Sequence, residues 1–351
     1  MKGKRYIWAF IAAAILAVGC TIEPLLHVRH AIRVLVNVLW KAEVYPEGIK
    51  PTGVSLYIFR DNNFYRRHTT ASVDSCTMKL DPGEYKLYMI TQSPEEFGQM
   101  EFLNMESFDS ACVRLVETKS KWYTRADGGA VVGNPEEMTV GMSDNFEISG
   151  EMIEEYMKSL VEAGPAGEDS TTRYYTIKVP VNPKSIISQY WISIYSDNAD
   201  LLRGVRASTT GMARSYNLTK DITGDEECVQ IISDWKLVID DPISRVGHLD
   251  GIVTTFGFPR GELPSPDRNP ELNVATLLAD NITTENYVFF VGKDITLEEP
   301  NEGYRHLYRL ILGSVEAPVM HPPDVRPIDD SSGFDASVDD WQPGEDVIVD
   351  M

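Results

Sequence analysis

Cysteine is scarce, with four in 351 residues, at Cys20, Cys76, Cys112 and Cys228. Past Cys20 the count is odd and cannot pair completely within one chain, so no disulfide framework holds the fold. A Cys76–Cys112 bridge suits an oxidising compartment, but buried free thiols are the expected state. Histidines are few and scattered, at His27, His30, His68, His248, His306 and His321. Only His27 and His30 are close. They lack a third ligand at a known spacing and read as two solvated side chains rather than a metal site. Basic charge is outweighed, 32 Lys and Arg against 53 Asp and Glu, for a formal net charge of -21. Phosphate binding needs a basic surface, so nucleic acid is excluded as a partner. Catalytic signatures are missing too. There is no Gly-x-Ser-x-Gly elbow, no phosphate-cradling glycine-rich loop and no His-Glu-x-x-His helix. Paired carboxylates for glycoside hydrolysis need only meet in space, and in so acidic a chain they carry no information. The expectation is a protein without catalytic residues, cofactor or metal.

What the chain has is first an export signal. Lys2, Lys4 and Arg5 precede an apolar run from Ile7 to Val18, which ends at Gly19-Cys20. A spanning helix needs about 20 apolar residues, so this shorter run directs export instead. Leu16-Ala17-Val18-Gly19-Cys20 resembles a bacterial lipobox, with Ala17 where the usual leucine stands. Cys20 is then the lipidation site and the new N-terminus. Each buried methylene adds about 0.8 kcal/mol of membrane affinity, so several acyl chains hold stably.

The remaining chain is long enough for two domains. Its 43% hydrophobic and 24% charged content is that of a globular protein. Ile32, Val34, Val36, Val38 and Trp40 alternate with Arg33, Leu35, Asn37 and Leu39, a period of two with an apolar face. A strand is expected there. Further strands are expected at Val54 to Phe59, Met78 to Leu80 and Tyr85 to Ile90, with turns at Asp61-Asn62-Asn63 and Asp81-Pro82-Gly83. Ser93-Pro94-Glu95-Glu96-Phe97 suits a short helix. A second helix carries Ile153, Tyr156, Met157, Leu160 and Val161 on one face and stops at Gly164-Pro165. The small, polar stretch from Ala166 to Thr172 marks the expected domain boundary.

Strands resume at Tyr174 to Val181, Tyr190 to Tyr195, Val229 to Ile239, Ile252 to Phe256, Tyr287 to Val291 and Tyr304 to Leu312. In the third, Val229, Ile231, Trp235, Leu237 and Ile239 are expected on one face. This spacing points to antiparallel sandwiches. No internal repeat of fixed period is visible. The expected organisation is a signal peptide over 1–19, an N-terminal β-sandwich over 20–170 and a C-terminal one over 171–351 with an acidic tail. That tail holds Asp329, Asp330, Asp335, Asp339 and Asp340 ahead of a strand-like Asp346-Val347-Ile348-Val349. Carboxylates are calcium ligands, but with no Asp-x-Asp-x-Asp-Gly loop a solvated charge run is expected.

Three aromatic pairs, Trp122-Tyr123, Tyr174-Tyr175 and Tyr190-Trp191, raise a sugar-stacking platform as a reading. In a strand, neighbours point to opposite faces, so each pair is expected to set one ring inside and one outside. Asp109-Ser110-Ala111 and Asp169-Ser170-Thr171 resemble the acceptor triplet of O-glycosylation in Bacteroidales, a short pattern frequent by chance.

The order of features resembles a family: a lipobox, an early strand ending in Trp40, the hairpin Leu80-Asp81-Pro82-Gly83-Glu84-Tyr85, then Val179-Pro180-Val181-Asn182-Pro183. Gly204-Val205-Arg206-Ala207-Ser208-Thr209-Thr210-Gly211-Met212-Ala213 and Thr255-Phe256-Gly257-Phe258 extend the likeness. Together they are similar to the fimbrillin-like lipoproteins of Bacteroidales, the anchor and accessory subunits of type V pili. The resemblance implies two transthyretin-like β-sandwich domains, other fimbrial subunits as partners and an outer-membrane, cell-surface location. It also implies that stalk subunits lose their first strand to a protease and accept a donor strand, while anchors keep the lipid. Ile32, Val34, Val36, Val38 and Trp40 would then form the assembly strand, retained in an anchor. Cutting at Arg60, Arg66 or Arg67, with Arg66-Arg67 read as a polar loop, would release the rest from its lipid. The rival reading is a surface glycan-binding lipoprotein of a carbohydrate uptake system, with glycan as partner.

If Cys20 carries the lipid, Cys20→Ala leaves the protein soluble or as an uncleaved precursor, because the acylation site is gone while the apolar run stays. Detergent-phase partitioning with immunoblotting reads this. Mature-size variant still in the detergent phase would refute the tether.

Overall fold

The computed structural model describes residues 32–39, 50–118, 129–162, 176–265, 268–301, 303–327 and 346–349. The protein is all-β and of sandwich type. The chain opens with β1 (Ile32–Val38), β2 (Val54–Arg60), β3 (Asn63–Thr70), β4 (Ser75–Leu80) and β5 (Gly83–Thr91). Shorter strands follow, β6 (Met100–Leu103), β7 (Cys112–Leu115), β8 (Ala130–Val132), β9 (Thr139–Met142) and β10 (Phe146–Ile148), then helix α1 (Gly150–Glu162). Next come β11 (Thr176–Ser185), β12 (Ser188–Ser196), β13 (Leu202–Ala213), β14 (Ser215–Asn217) and β15 (Ile222–Thr223). The rest is β16 (Glu227–Ile232), β17 (Trp235–Asp241), β18 (Val246–Thr255), β19 (Glu271–Leu278), β20 (Thr284–Phe290), β21 (Ile295–Glu298), β22 (Leu307–Leu312) and β23 (Asp346–Val349).

The chain divides into two compact units. The smaller takes residues 1–34, 77–83 and 147–177. On its share of β4, Met78 and Leu80 are buried while Thr77 and Lys79 are exposed, the alternation that a half-buried strand requires. Helix α1 is capped where Ser149 Oγ accepts from the Met152 amide at 3.3 Å. Ile153 on its apolar face is buried. The other four side chains expected on that face, the helix stop at Gly164-Pro165 and the boundary stretch 166–172 lie outside what is described.

The larger unit takes residues 35–76, 84–146 and 178–351. Its first sheet contains the order β3-β2-β5-β9-β11-β1. In β2, every residue from Val54 to Phe59 is buried, so both of its faces are covered. The turn into β3 puts Asp61 and Asn62 at φ of 50° and 64°. Two left-handed residues between paired strands make the two-residue hairpin turn whose twist matches a sheet. Tyr57 and Tyr88 stack on neighbouring strands, 4.8 Å apart and 8° from parallel. The Tyr88 hydroxyl donates to the Met105 carbonyl at 2.6 Å.

The remaining sheets of this unit run β17-β18-β12-β22-β21, β23-β20-β19-β13-β16-β8 and β15-β14-β7-β6. One continuous core joins Tyr57, Tyr88 and Val140 to Tyr190, Leu249, Val274, Phe289 and Leu310. Antiparallel pairing dominates, as expected, but β12 with β22, β16 with β8 and β20 with β23 run parallel. Parallel neighbours need long connections, and each of these pairs is far apart in sequence.

One expected strand differs in the structure. The stretch from Val229 to Ile239 is two strands, β16 and β17, with the Trp235 indole N–H reaching back to the Ile232 carbonyl at 3.1 Å. On β16 the buried face is Cys228, Gln230 and Ile232, so Val229 and Ile231 point the other way. Trp235 lies over Gly251, where an added Cβ would meet its ring at 2.9 Å. The short helix expected after Ser93 is present as a 3-10 helix over Pro94–Glu96. Its Glu96 side chain caps the Ser93 amide at 3.0 Å.

Two buried tyrosines separate the value of a hydrogen bond from that of a ring. Tyr88 and Tyr190 are both fully buried, yet among the described residues the Tyr190 hydroxyl has no partner. Tyr88→Phe is expected to cost about 1 kcal/mol and Tyr190→Phe to be neutral or stabilising. Urea denaturation of the two variants checks this.

Candidate functional site

The first strand is the natural place to look for an assembly site, since chain order sets it nearest Cys20, the expected lipidation site. β1 spans Ile32–Val38, with Val36 and Val38 buried and Asn37 half-buried. Ile32 and Val34 fall within the strand; Cys20 and Trp40 lie outside the described residues. The Val38 amide donates to the Asp74 carbonyl at 2.9 Å, and the Leu39 amide donates to the Val181 carbonyl at 2.8 Å. Successive amides of an extended chain point to opposite sides, so the end of β1 is bonded on both flanks. Withdrawing it would uncover main-chain groups on each neighbour and expose Val36 and Val38.

A second terminal segment also fills a strand position. β23 pairs in parallel with β20, with Asp346 opposite Asn286 and Val349 opposite Phe289, and ends its sheet. The acidic residues from Asp329 to Asp340 lie outside the described residues.

The arginines singled out as cleavage points occupy different surroundings from those expected. Arg66 and Arg67 are in β3, opposite Ile58 and Tyr57 of β2, rather than in a polar loop. Arg67 also pairs with Glu95 at 2.7 Å. Hydrogen-bonded strand backbone resists proteolysis, which favours exposed loop tips. Arg60 ends β2 beside the hairpin turn.

The other candidates resolve individually. Of the aromatic pairs, only Tyr190-Trp191 is described; Trp122, Tyr123, Tyr174 and Tyr175 are not. Tyr190 is in the core and Trp191 is half-buried on the outer face, the split that strand geometry dictates. The Arg309 guanidinium sits 5.3 Å from the Trp191 ring centre, and Gln189 accepts its indole N–H at 3.3 Å. His27 and His30 lie outside the described residues. His248 is held between Asp240 at 2.6 Å and Asp250 at 3.3 Å on opposite ring nitrogens, so the groups do not converge on a point. Among the described residues no cluster of His, Cys, Asp and Glu is arranged to hold a metal ion, and no helix is long and apolar enough to cross a membrane. Cys76, Cys112 and Cys228 are free thiols, and burial pushes Cys228 up to about 12. Asp109 and Ser110 are exposed and Ala111 is buried; Asp169, Ser170 and Thr171 are not described.

Sequence reasoning missed one polar cluster because its members are remote in the chain. Arg305 Nη1 meets Asp221 Oδ1 at 2.5 Å, and the Tyr216 hydroxyl donates to the same carboxylate oxygen at 2.5 Å. Arg305 Nη2 also reaches the Asp221 carbonyl at 3.0 Å, and its guanidinium lies 5.2 Å from the Tyr216 ring centre. Burial works to raise the Asp221 carboxyl, but the tyrosine and the guanidinium together hold it below its ordinary value. Beside it, burial and then Arg305 lower His306. The cluster ties the segment leading into β22 to the loop between β14 and β15. A depressed carboxyl contributes stability above its unfolded pKa and loses it as pH falls through the folded value. Arg305→Ala is therefore expected to cost about 1–2 kcal/mol near neutrality, between exposed and buried pairs, and less in acid. Urea melts across the acid range check both parts.

A known structure shares this architecture. A candidate adhesin from Bacteroides ovatus ATCC 8483 superposes with a TM-score of 0.51 at 12% identity, over 86% of this chain and 94% of that one. At that identity the likeness is one of fold. The fimbrial anchor protein Mfa2 from Porphyromonas gingivalis aligns with a TM-score of 0.45 at 13% identity, covering 80% of this chain and 90% of that one. The tip fimbrial protein Mfa3 of the same organism, with a C-terminal truncation, aligns at 0.35 and 10% identity, over 80% and 94%. No curated protein matches the sequence. The all-β, sandwich-type class expected from the sequence is therefore the class found. The model of the family described as Domain of unknown function (DUF5119) matches residues 19–234, more than half of the chain, and the protein belongs to that family.

Proposed function

We propose that the protein is a lipid-anchored subunit of a surface fimbrium, an anchor or accessory subunit that joins other subunits through β-strands and serves cell adhesion. Cys20 carries the lipid to the outer membrane, and the chain does no catalysis. The observation that carries the reading is the bonding of β1 on both flanks, through Val38 to Asp74 and Leu39 to Val181. A strand held in this way belongs to a finished domain, and each large side chain removed from a core costs about 1.5–3 kcal/mol. An anchor has to keep that strand, because the strand lies between the lipid and the rest of the chain.

Further support comes from Arg66 and Arg67, whose place in a paired strand makes a cut there unfavourable. β23, a short segment paired with β20 at the end of its sheet, shows a sheet edge filled by strand addition. Main-chain bonds at an open sheet edge give affinity, and alternate side chains give register.

Chains recovered from native surface filaments are expected to begin at an acylated Cys20 and to co-purify with other fimbrial subunits. N-terminal analysis by mass spectrometry reads this directly. A mature chain starting just after Arg60, Arg66 or Arg67 would reject the anchor role.

A further inference from the structure

At the end of β13, the strand bends where Thr210 and Gly211 break its register with β16. Between this bend and the segment from Phe258 to Pro270 lies a cavity of about 280 Å³. Its apolar wall includes Phe258, Leu263 and Pro270. Gly211 keeps one side open: it has φ of +77°, and an added Cβ would stand 3.2 Å from the Pro270 ring. The polar groups of the wall divide into two kinds. Thr210 Oγ1 accepts from the Glu271 amide at 2.9 Å and Asn269 Oδ1 from the Gly292 amide at 2.8 Å, so both are occupied in holding the backbone. Glu227, Glu262 and Arg268 also line the cavity, and among the described residues none of their three side chains makes a direct hydrogen bond or ion pair.

That is unusual for this part of the surface. Arg260 pairs with Asp225 and Arg214 with Glu226, each at 2.6 Å. Those neighbouring charges are in direct contact, whereas Glu262 feels Arg260, and Arg268 feels Asp225, only at longer range, so the charged heads that line the cavity remain open to a further partner. Two carboxylates against one guanidinium leave the rim net negative. The volume is just under the range of about 300–1,000 Å³ typical of pockets that take a whole small molecule. A single long side chain fits it better.

We propose that this cavity receives a lysine or arginine side chain of a protein partner, its methylene stem against Phe258, Leu263 and Pro270 and its charged head at Glu227 and Glu262. Basic side chains commonly lie this way, with the stem on apolar surface and the head among polar groups. The net charge of -21 steers a basic partner toward the molecule and disfavours an acidic one. The site goes beyond strand-mediated association and does not rest on it, since none of its residues belongs to β1 or β23.

The test titrates the isotope-labelled protein with the N-acetyl amides of lysine, arginine and norleucine, and follows the amide resonances of Gly211, Leu263 and Asn269. Saturable shifts are expected with the lysine and arginine probes and none with norleucine. The double variant Glu227→Gln with Glu262→Gln should weaken the cationic probes about tenfold or more, or 1.4 kcal/mol. Arg268→Gln should strengthen them, because it removes the like charge. All three residues are exposed, and matching thermal melts certify the fold of each variant. Equal response to norleucine, no saturable shift with either cation, or unchanged binding in the double variant would each overturn the proposal. The comparison of probes on the unmodified protein needs no variant. Because the monomer is titrated, the result is independent of whether the filament reading holds.

Discussion

Every buried main-chain N–H and C=O has to find a partner, and in a protein with one described α-helix that requirement falls almost wholly on strand pairing. β12 illustrates it. This strand is bonded along nine residues to β18 on one side and along six to β22 on the other, although β22 lies more than a hundred residues further on. The sheet therefore closes only when the late segment arrives. The same rule explains why β1 and β23, both near chain ends, are fitted into sheets. It also makes any missing strand a vacancy with a defined register, which is the physical basis for association by strand addition.

Charge follows the opposite rule. The protein carries far more acid than base, and its ion pairs lie mainly where water still reaches them. Such pairs contribute little individually. Like the still more buried His248–Asp240 pair, the Arg305–Asp221–Tyr216 cluster departs from this, because its carboxylate is half-buried and accepts from both partners. It joins two loops at a place where sheet pairing does not reach. The Glu227, Glu262 and Arg268 side chains differ in another way, since they line a cavity without a direct ion pair.

Much of the fold was legible from alternation and turn chemistry. Val54 to Phe59, Tyr85 to Ile90 and Tyr190 to Tyr195 are strands as read, and Asp61-Asn62 is a hairpin turn because both residues tolerate positive φ. β13, the longest strand at twelve residues, was not read as one. Its Ser208-Thr209-Thr210-Gly211 is polar and small, so no apolar alternation marks it, and only its pairing with β16 and β19 makes it a strand. β3 escaped for a related reason. Its Arg66 and Arg67 read as a loop until hydrogen bonds to β2 are known.

By itself, then, the sequence determined the class of the protein: strands throughout, an acidic surface, no disulfide framework and a family likeness resting on short motifs. Those features are local, since they depend on neighbours along the chain or on composition. Which strands are interior, which face of β16 is buried and that Glu227 and Glu262 line one cavity were decided only by the tertiary structure. The reason is that a strand's period of two marks two faces without saying which will be covered. Pairing between distant segments makes that choice, and no local pattern records it.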